Sequence, residues 1–192
     1  MANEPIALFQ KWLQEAVDSG IQEPTAMTVA TVDADGHPDA RMLLLKSADE
    51  RGFVFYTNME SPKGQALRRD PRVALCFYWM PLDRQVRIRG RAEVVSDEEA
   101  DAYFATRARL SQISAWASRQ SRPMDGYFEL ETEVAKATLR FGVGKVPRPP
   151  FWSGFRVVPE QIEFWRQKPF RRHERIAYQR AADGWRKEWL YP

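Results

Sequence analysis

The stretch Val73–Val95 decides the fold: VALCFYW (Val73–Trp79), the short connection MPLDR, then QVRIRGRAEVV (Gln85–Val95). The first run is almost continuously apolar. The second sets Val86, Ile88, Ala92 and Val94 against Arg87, Arg89, Arg91 and Glu93, the period of a strand with one buried and one solvated face. A five-residue connection is far too short for a parallel crossover, so the two runs read as antiparallel neighbours.

Upstream, Ala26–Val32 is rich in β-formers, Asp35-Gly36 is a strong hairpin turn, and the apolar run resumes at Arg41–Lys46. Gly52 opens a further strand at Phe53–Thr57. Ser61-Pro62 then supplies an N-cap and a first-turn proline for a short helix that stops before Pro71. At the N-terminus, Asn3 is placed to cap a helix over residues 1–20, with Leu8, Phe9, Trp12, Leu13, Ala16 and Val17 at helical spacing. Downstream, Ser96 before Asp97-Glu98-Glu99 is a capped helix start with acids at the positive end of the dipole, and helical patterning continues in pieces to Phe141. Pro147, Pro149 and Pro150 end it, and Phe155–Val158, Gln161–Arg166, Arg175–Arg180 and Trp185–Leu190 read as closing strands. The expectation is a mainly β chain, an antiparallel barrel with helices packed outside, forming one unit over residues 1–192.

A chain of 192 residues and 22.3 kDa hides roughly 70% of its unfolded surface and needs neither disulfide nor metal to fold. Its single cysteine, Cys76, permits no internal disulfide, which fits a reducing compartment. With 44% hydrophobic and 29% charged residues the chain is not disordered, and it has neither a membrane-spanning run nor a signal pattern, so a cytoplasmic location is expected. The net charge is only +3, but it is uneven: Tyr103–Arg122 holds four arginines and no acid, and Lys145–Arg175 holds eight basic residues against three acids. Such clusters favour an anionic partner.

Inventory removes several chemistries. Two unrelated histidines, one cysteine and no HExxH or paired CxxC leave no metal site to predict. GxSxG, GxxxxGK[ST] and a strand-following GxGxxG are absent, which excludes the usual serine-hydrolase, P-loop and Rossmann signatures. What remains is cationic residues among hydroxyls, amides and aromatics. Arg41 and Lys46 fit either solvated strand ends or anion contacts. Tyr56, Thr57, Ser61 and Lys63 lie beside a helix N-terminus, where capping and phosphate binding use the same groups. Tyr103, Arg107 and Ser111, spaced four apart, would share one face of a helix and offer a phenol, a guanidinium and a hydroxyl to one anion. Gln120 and Ser121 could bond a heterocycle edge or cap a helix end. Arg171, His173 and Arg175 alternate, so on a strand they would share a face with the imidazole between two guanidiniums.

In sequence order, RMLLLK, FVFYTN, S-x-K, RQVRIRG, YF-x-x-R-x-x-x-SQISAWAS-x-QS, VPRPPFW, IEFW and R-x-H-x-R resemble the pyridoxamine 5′-phosphate oxidases from Ala26 to Pro192. The resemblance implies a split β-barrel homodimer with FMN at the interface. It implies FMN contacts at Arg41, Met42, Leu43, Leu44, Leu45, Lys46, Tyr56, Thr57, Lys63, Gln85, Gln120, Ser121, Trp165 and Arg175. It further implies a substrate phosphate at Lys46, Tyr103, Arg107 and Ser111, with Arg171 and His173 as catalytic residues bracketing the pyridine. The implied reaction oxidises pyridoxine or pyridoxamine 5′-phosphate to pyridoxal 5′-phosphate and reduces O₂ to hydrogen peroxide, with no nucleic-acid or membrane partner. Ser61-Pro62-Lys63 departs from the family's Ser-Arg-Lys, so weaker FMN retention or replacement of the missing cation by Arg68 or Arg69 is expected. Trp152-Ser153-Gly154 stands for Trp-Gly-Gly. Three rival readings remain at this point. They are a phenazine-pathway oxidase on the same barrel, a non-catalytic FMN-binding protein, and a basic nucleic-acid module suggested by a pI near 9.1.

Overall fold

A computed structural model describes residues 4–192; the expected cap at Asn3 lies outside the described residues. The chain runs α1 (Glu4–Asp18), β1 (Ala26–Val32), β2 (Pro38–Leu44), β3 (Ser47–Asp49), β4 (Gly52–Asn58), α2 (Pro62–Arg69), β5 (Arg72–Trp79) and β6 (Arg84–Val94). It continues with α3 (Asp97–Thr106), α4 (Arg109–Ala117), α5 (Glu129–Phe141), β7 (Trp152–Arg166), β8 (Glu174–Ala181) and β9 (Gly184–Trp189). No helix among the described residues is long and apolar enough to cross a membrane.

Every strand pairing is antiparallel, in the order β2-β1-β5-β6-β7-β4-β3, with β8 and β9 branching from β7. The split occurs on β7. One of its edges follows β6 from Phe155 to Arg166, while the other pairs first with β4 (Asn58↔Trp152 to Phe53↔Val157) and then with β8 (Gln161↔Gln179 to Arg166↔Glu174). β5 and β6 pair from Arg72↔Arg91 to Trp79↔Arg84, as their patterning requires. Val86, Ile88 and Ala92 are buried while Arg87, Arg89 and Arg91 face out, but Val94, expected on the buried face, is exposed at the end of the strand.

Several boundaries differ from expectation. The two closing strands at Phe155–Val158 and Gln161–Arg166 are one strand, because Pro159 sits opposite Gly90 at a register shift where its missing N–H is harmless. A Cβ on Gly90 would lie 2.1 Å from the Val158 carbonyl oxygen, so the close crossing there demands glycine. β2 ends at Leu44, not Lys46; Leu45 turns into the core and Lys46 leads into the short β3, which sequence patterning missed. Helix α1 closes the barrel with Phe9, whose ring meets Phe53 at 4.9 Å, Phe77 at 5.0 Å and Trp79 at 6.1 Å. A second cluster, Phe104, Ile113, Ala137, Val146 and Trp152, packs α3, α4 and α5 against the start of β7.

Candidate functional site

Between the end of β4, the α3–α4 junction and Lys46 lies a cavity of about 540 Å³. One wall is a stack of three nearly parallel rings: Tyr56 lies 4.0 Å from Tyr103 and 5.2 Å from Trp152. The stack depends on Gly154, where a Cβ would come within 2.7 Å of the Tyr56 ring. Burial, with Glu99 and Tyr103 nearby, pushes the Tyr56 phenol up to about 12. Arg107 caps α3 in an extended conformation, its guanidinium 4.9 Å from the Trp152 ring centroid and its Nη1 buried without a hydrogen-bond partner. Burial lowers its pKa. Tyr103, Arg107 and Ser111 do line this one cavity, but not as a single helical face: α3 ends at Thr106 and α4 begins at Arg109. The kink between them brings the three together.

A second cavity of about 380 Å³ shares Leu43 and Gln120 with the first and is walled also by Asp39, Arg41, Met42, Pro62, Lys63 and Ser121. Lys63 is buried in the first turn of α2. Its Nζ donates to Gln120 Oε1 at 2.8 Å and to Ser61 Oγ at 3.1 Å, and no carboxylate among the described residues pairs with it. Burial, reinforced by Arg41 and opposed by Asp39, brings its pKa down to about 8. Thr57 Oγ1 donates to the same Gln120 oxygen at 3.3 Å, and Ser121 holds a left-handed φ of 67°. Arg41 donates to the Val29 carbonyl, to Thr31 and to Asp39. The second cation lining this cavity is Arg41. Arg68 donates to the Met59 carbonyl, and neither it nor Arg69 lines the cavity.

The remaining predicted residues lie elsewhere. Gln85, Trp165 and Arg175 form one cross-strand row at the far end of β7, thirteen residues from Trp152, or about 40 Å of extended strand. None of these three, nor Arg171 or His173, lines either cavity of the same chain. Arg171, His173 and Arg175 do not share a strand face either. Arg171 ends a 3-10 turn with φ of 59°, next to Phe170 at 58°, and β8 begins only at Glu174. His173 leans on Trp165, with ring centroids 4.8 Å apart, and its Nδ1 accepts the Lys168 N–H at 3.2 Å. In the neutral ring that leaves the hydrogen on Nε2. Met42 and Leu44 are exposed on β2, whereas Leu45 is core. Trp152, Ser114 and Ser118 also line the first cavity, though no contact was expected of them; the signal was their place in the motifs VPRPPFW and SQISAWAS.

Residues 13–141 match the family model for pyridoxamine 5′-phosphate oxidase, and residues 152–192 match that for the pyridoxine 5′-phosphate oxidase C-terminal dimerisation region. The chain belongs to the pyridoxamine 5′-phosphate oxidase family. Both matched regions share one sheet, joined through β7. Among its relatives, the pyridoxine/pyridoxamine 5′-phosphate oxidase of Azorhizobium caulinodans is 59% identical over 100% of this chain and 91% of its own length. That of Caulobacter vibrioides is 59% identical over 98% and 85%. Among solved structures, PhzG from Burkholderia lata 383 in complex with tetrahydrophenazine-1-carboxylic acid superposes with a TM-score of 0.92 at 32% identity, covering 98% of this chain and 92% of that one. A pyridoxamine 5′-phosphate oxidase-related, FMN binding protein from Nostoc punctiforme shares the fold, with a TM-score of 0.77 at 16% identity over 96% and 97%. As a member of this oxidase family the chain keeps the one glycine its ring stack needs, Gly154, and tolerates Ser153 in place of the other.

Proposed function

We propose that this chain is an FMN-dependent oxidase that converts pyridoxamine and pyridoxine 5′-phosphates to pyridoxal 5′-phosphate, reducing O₂ to hydrogen peroxide. The observation that carries the reading is a pair of cations with no salt-bridge partner among the described residues, in the walls of two joined cavities: Lys63, which is buried, and Arg107, half-buried with its Nη1 enclosed and unpartnered. A buried charge without a partner is costly, and a phosphate monoester carrying about −1.5 to −2 supplies one. Two phosphorylated ligands, cofactor and substrate, account for two such cations. The residues present therefore fit FMN: Lys63 and Arg41, with Thr57 and Ser121, would hold its phosphate.

When bound, FMN supplies a two-electron acceptor that O₂ reoxidises. The chain's own work is binding and orientation. Arg107, Tyr103, Ser111 and Lys46 take the substrate phosphate. Arg171 and His173, distant within one chain, reach the ring from a second copy, as do the FMN contacts Gln85, Trp165 and Arg175. The match of residues 152–192 to a dimerisation region supports this homodimer. Within it, His173 presents its Nε2–H, and Arg171 a guanidinium, to the pyridine face.

The likeness to PhzG favours a second reading, a carboxylated tricyclic substrate at the Arg107 cavity. Anaerobic addition of pyridoxamine 5′-phosphate to the purified yellow protein distinguishes the two. Loss of the flavin absorption band, with peroxide released on admitting air, is the expected result. A band that persists with the phosphorylated pyridine but bleaches with a reduced phenazine carboxylate would overturn the proposal.

A further inference from the structure

Glu163 is the one carboxylate among the described residues that the fold buries almost completely, at 4% exposure. It lies on β7 between Ile162 and Phe164, whose side chains enter the core, so its own points to the outer face of the sheet. An outward carboxylate is buried there because arginines close over it from both neighbouring strands. Arg87 of β6 donates from Nη2 to Oε2 at 2.9 Å, and Arg175 of β8 donates from Nε to Oε1 at 2.9 Å. The ion pair raises the Arg175 pKa. Arg175 is held a second time, because its Nη1 donates to the Tyr191 carbonyl at 2.8 Å while its own carbonyl accepts the Leu190 N–H at 3.0 Å. Two of its three guanidinium nitrogens are thus committed, which leaves Nη2 as the donor the described residues do not use.

We propose that Glu163 is a positioning residue: with the Tyr191 carbonyl it locks the Arg175 fork so that the free Nη2 faces bound flavin. This rests on the reading of Arg175, together with its row neighbours Gln85 and Trp165, as a cofactor contact. An unrestrained arginine would give up several rotatable bonds on binding; one already fixed by a buried carboxylate and the chain end gives up little. Arg87 serves Glu163 from the other side.

A double-mutant cycle on the holoprotein tests this, with FMN release followed by the fluorescence of free flavin after dilution. Glu163→Gln should release FMN about tenfold faster, the effect of one charge-assisted hydrogen bond. Arg175→Ala should be at least as fast, the double variant no faster than Arg175→Ala alone, and Arg87→Met unchanged. Multiplying effects in the double variant, or a wild-type rate for Glu163→Gln beside a fast Arg175→Ala, overturns the positioning role and leaves the Arg175 assignment standing. A wild-type rate for Arg175→Ala removes that assignment itself. Should Glu163→Gln fail to fold, Glu163→Asp keeps the charge without the reach. It must accelerate release in the same direction, and a wild-type rate there overturns the proposal equally.

Discussion

A buried lysine ammonium with no carboxylate bonded to it is a standing cost to the folded chain, and Lys63 makes that cost measurable. Its pKa falls from 10.5 to about 8 through burial. Between those values the unfolded chain keeps the proton that the folded chain has lost, so the stability of the flavin-free protein rises with pH from about 8 to 10.5. A bound phosphate restores the ammonium and removes the rise. Urea midpoints across that range should therefore climb for the flavin-free protein and stay flat for Lys63→Met. The same variant should be the more stable one at pH 7 and yet lose at least tenfold in FMN affinity, because an apolar side chain replaces an unpaired charge. A midpoint that does not move with pH in the wild-type protein would show Lys63 to be hydrated or paired. Sequence pointed to Lys63 and Arg107 but could not separate them from other cations. Arg148 pairs with Asp97 and Asp101, Arg156 with Glu99 and Asp49, and Arg122 with Glu60. These acids lie far away in sequence, so a local charge count overstated the free positive charge.

Elements were legible where their pattern was local. The β5–β6 pair, the β1–β2 turn and the Ser61 cap on α2 follow from periodicity and turn chemistry, and the Ser61 side chain does accept the Gly64 N–H. The α3–α4 break was not legible, since Thr106-Arg107-Ala108 contains neither glycine nor proline; tertiary contacts of Phe104 and Ile113 with Trp152 set it. Pro159 misled in the other direction, because a proline that looks like a strand end is admitted at a bulge. The ring stack is the element-scale feature most open to test. Gly154→Ala places a methyl 2.7 Å from the Tyr56 ring and 3.1 Å from the Phe55 carbonyl oxygen. Overpacking of this kind costs about 1–3 kcal/mol. The expected outcome is a lower denaturation midpoint together with a raised KM for the phosphorylated substrate, since Tyr103 rests on Tyr56. Ser153→Gly, restoring the family's residue, should change neither by more than experimental scatter.

At the scale of the whole molecule, the residues assigned to one site by resemblance divide between the two ends of β7, which the linear sequence could not reveal. If the halves meet between copies, Arg107→Ala and Arg171→Ala damage opposite contributions. Each homodimer should be nearly inactive, but in a mixed dimer one site carries both lesions and the other carries none. Random mixing makes half of the dimers mixed, so about one quarter of wild-type turnover should return on co-expression. No recovery would mean that both arginines serve the cavity of their own chain. The continuity of β7 also governs how the gene can change length. One extra residue inside Trp152–Arg166 would advance one end by about 3.3 Å and invert every side chain beyond it, uncoupling the pairings with β4, β6 and β8 at once. Insertions and deletions are thereby channelled into the coil segments at 118–128 and 142–151, where drift can reshape the cavity rim while the spacing between the two grips stays counted out in whole residues.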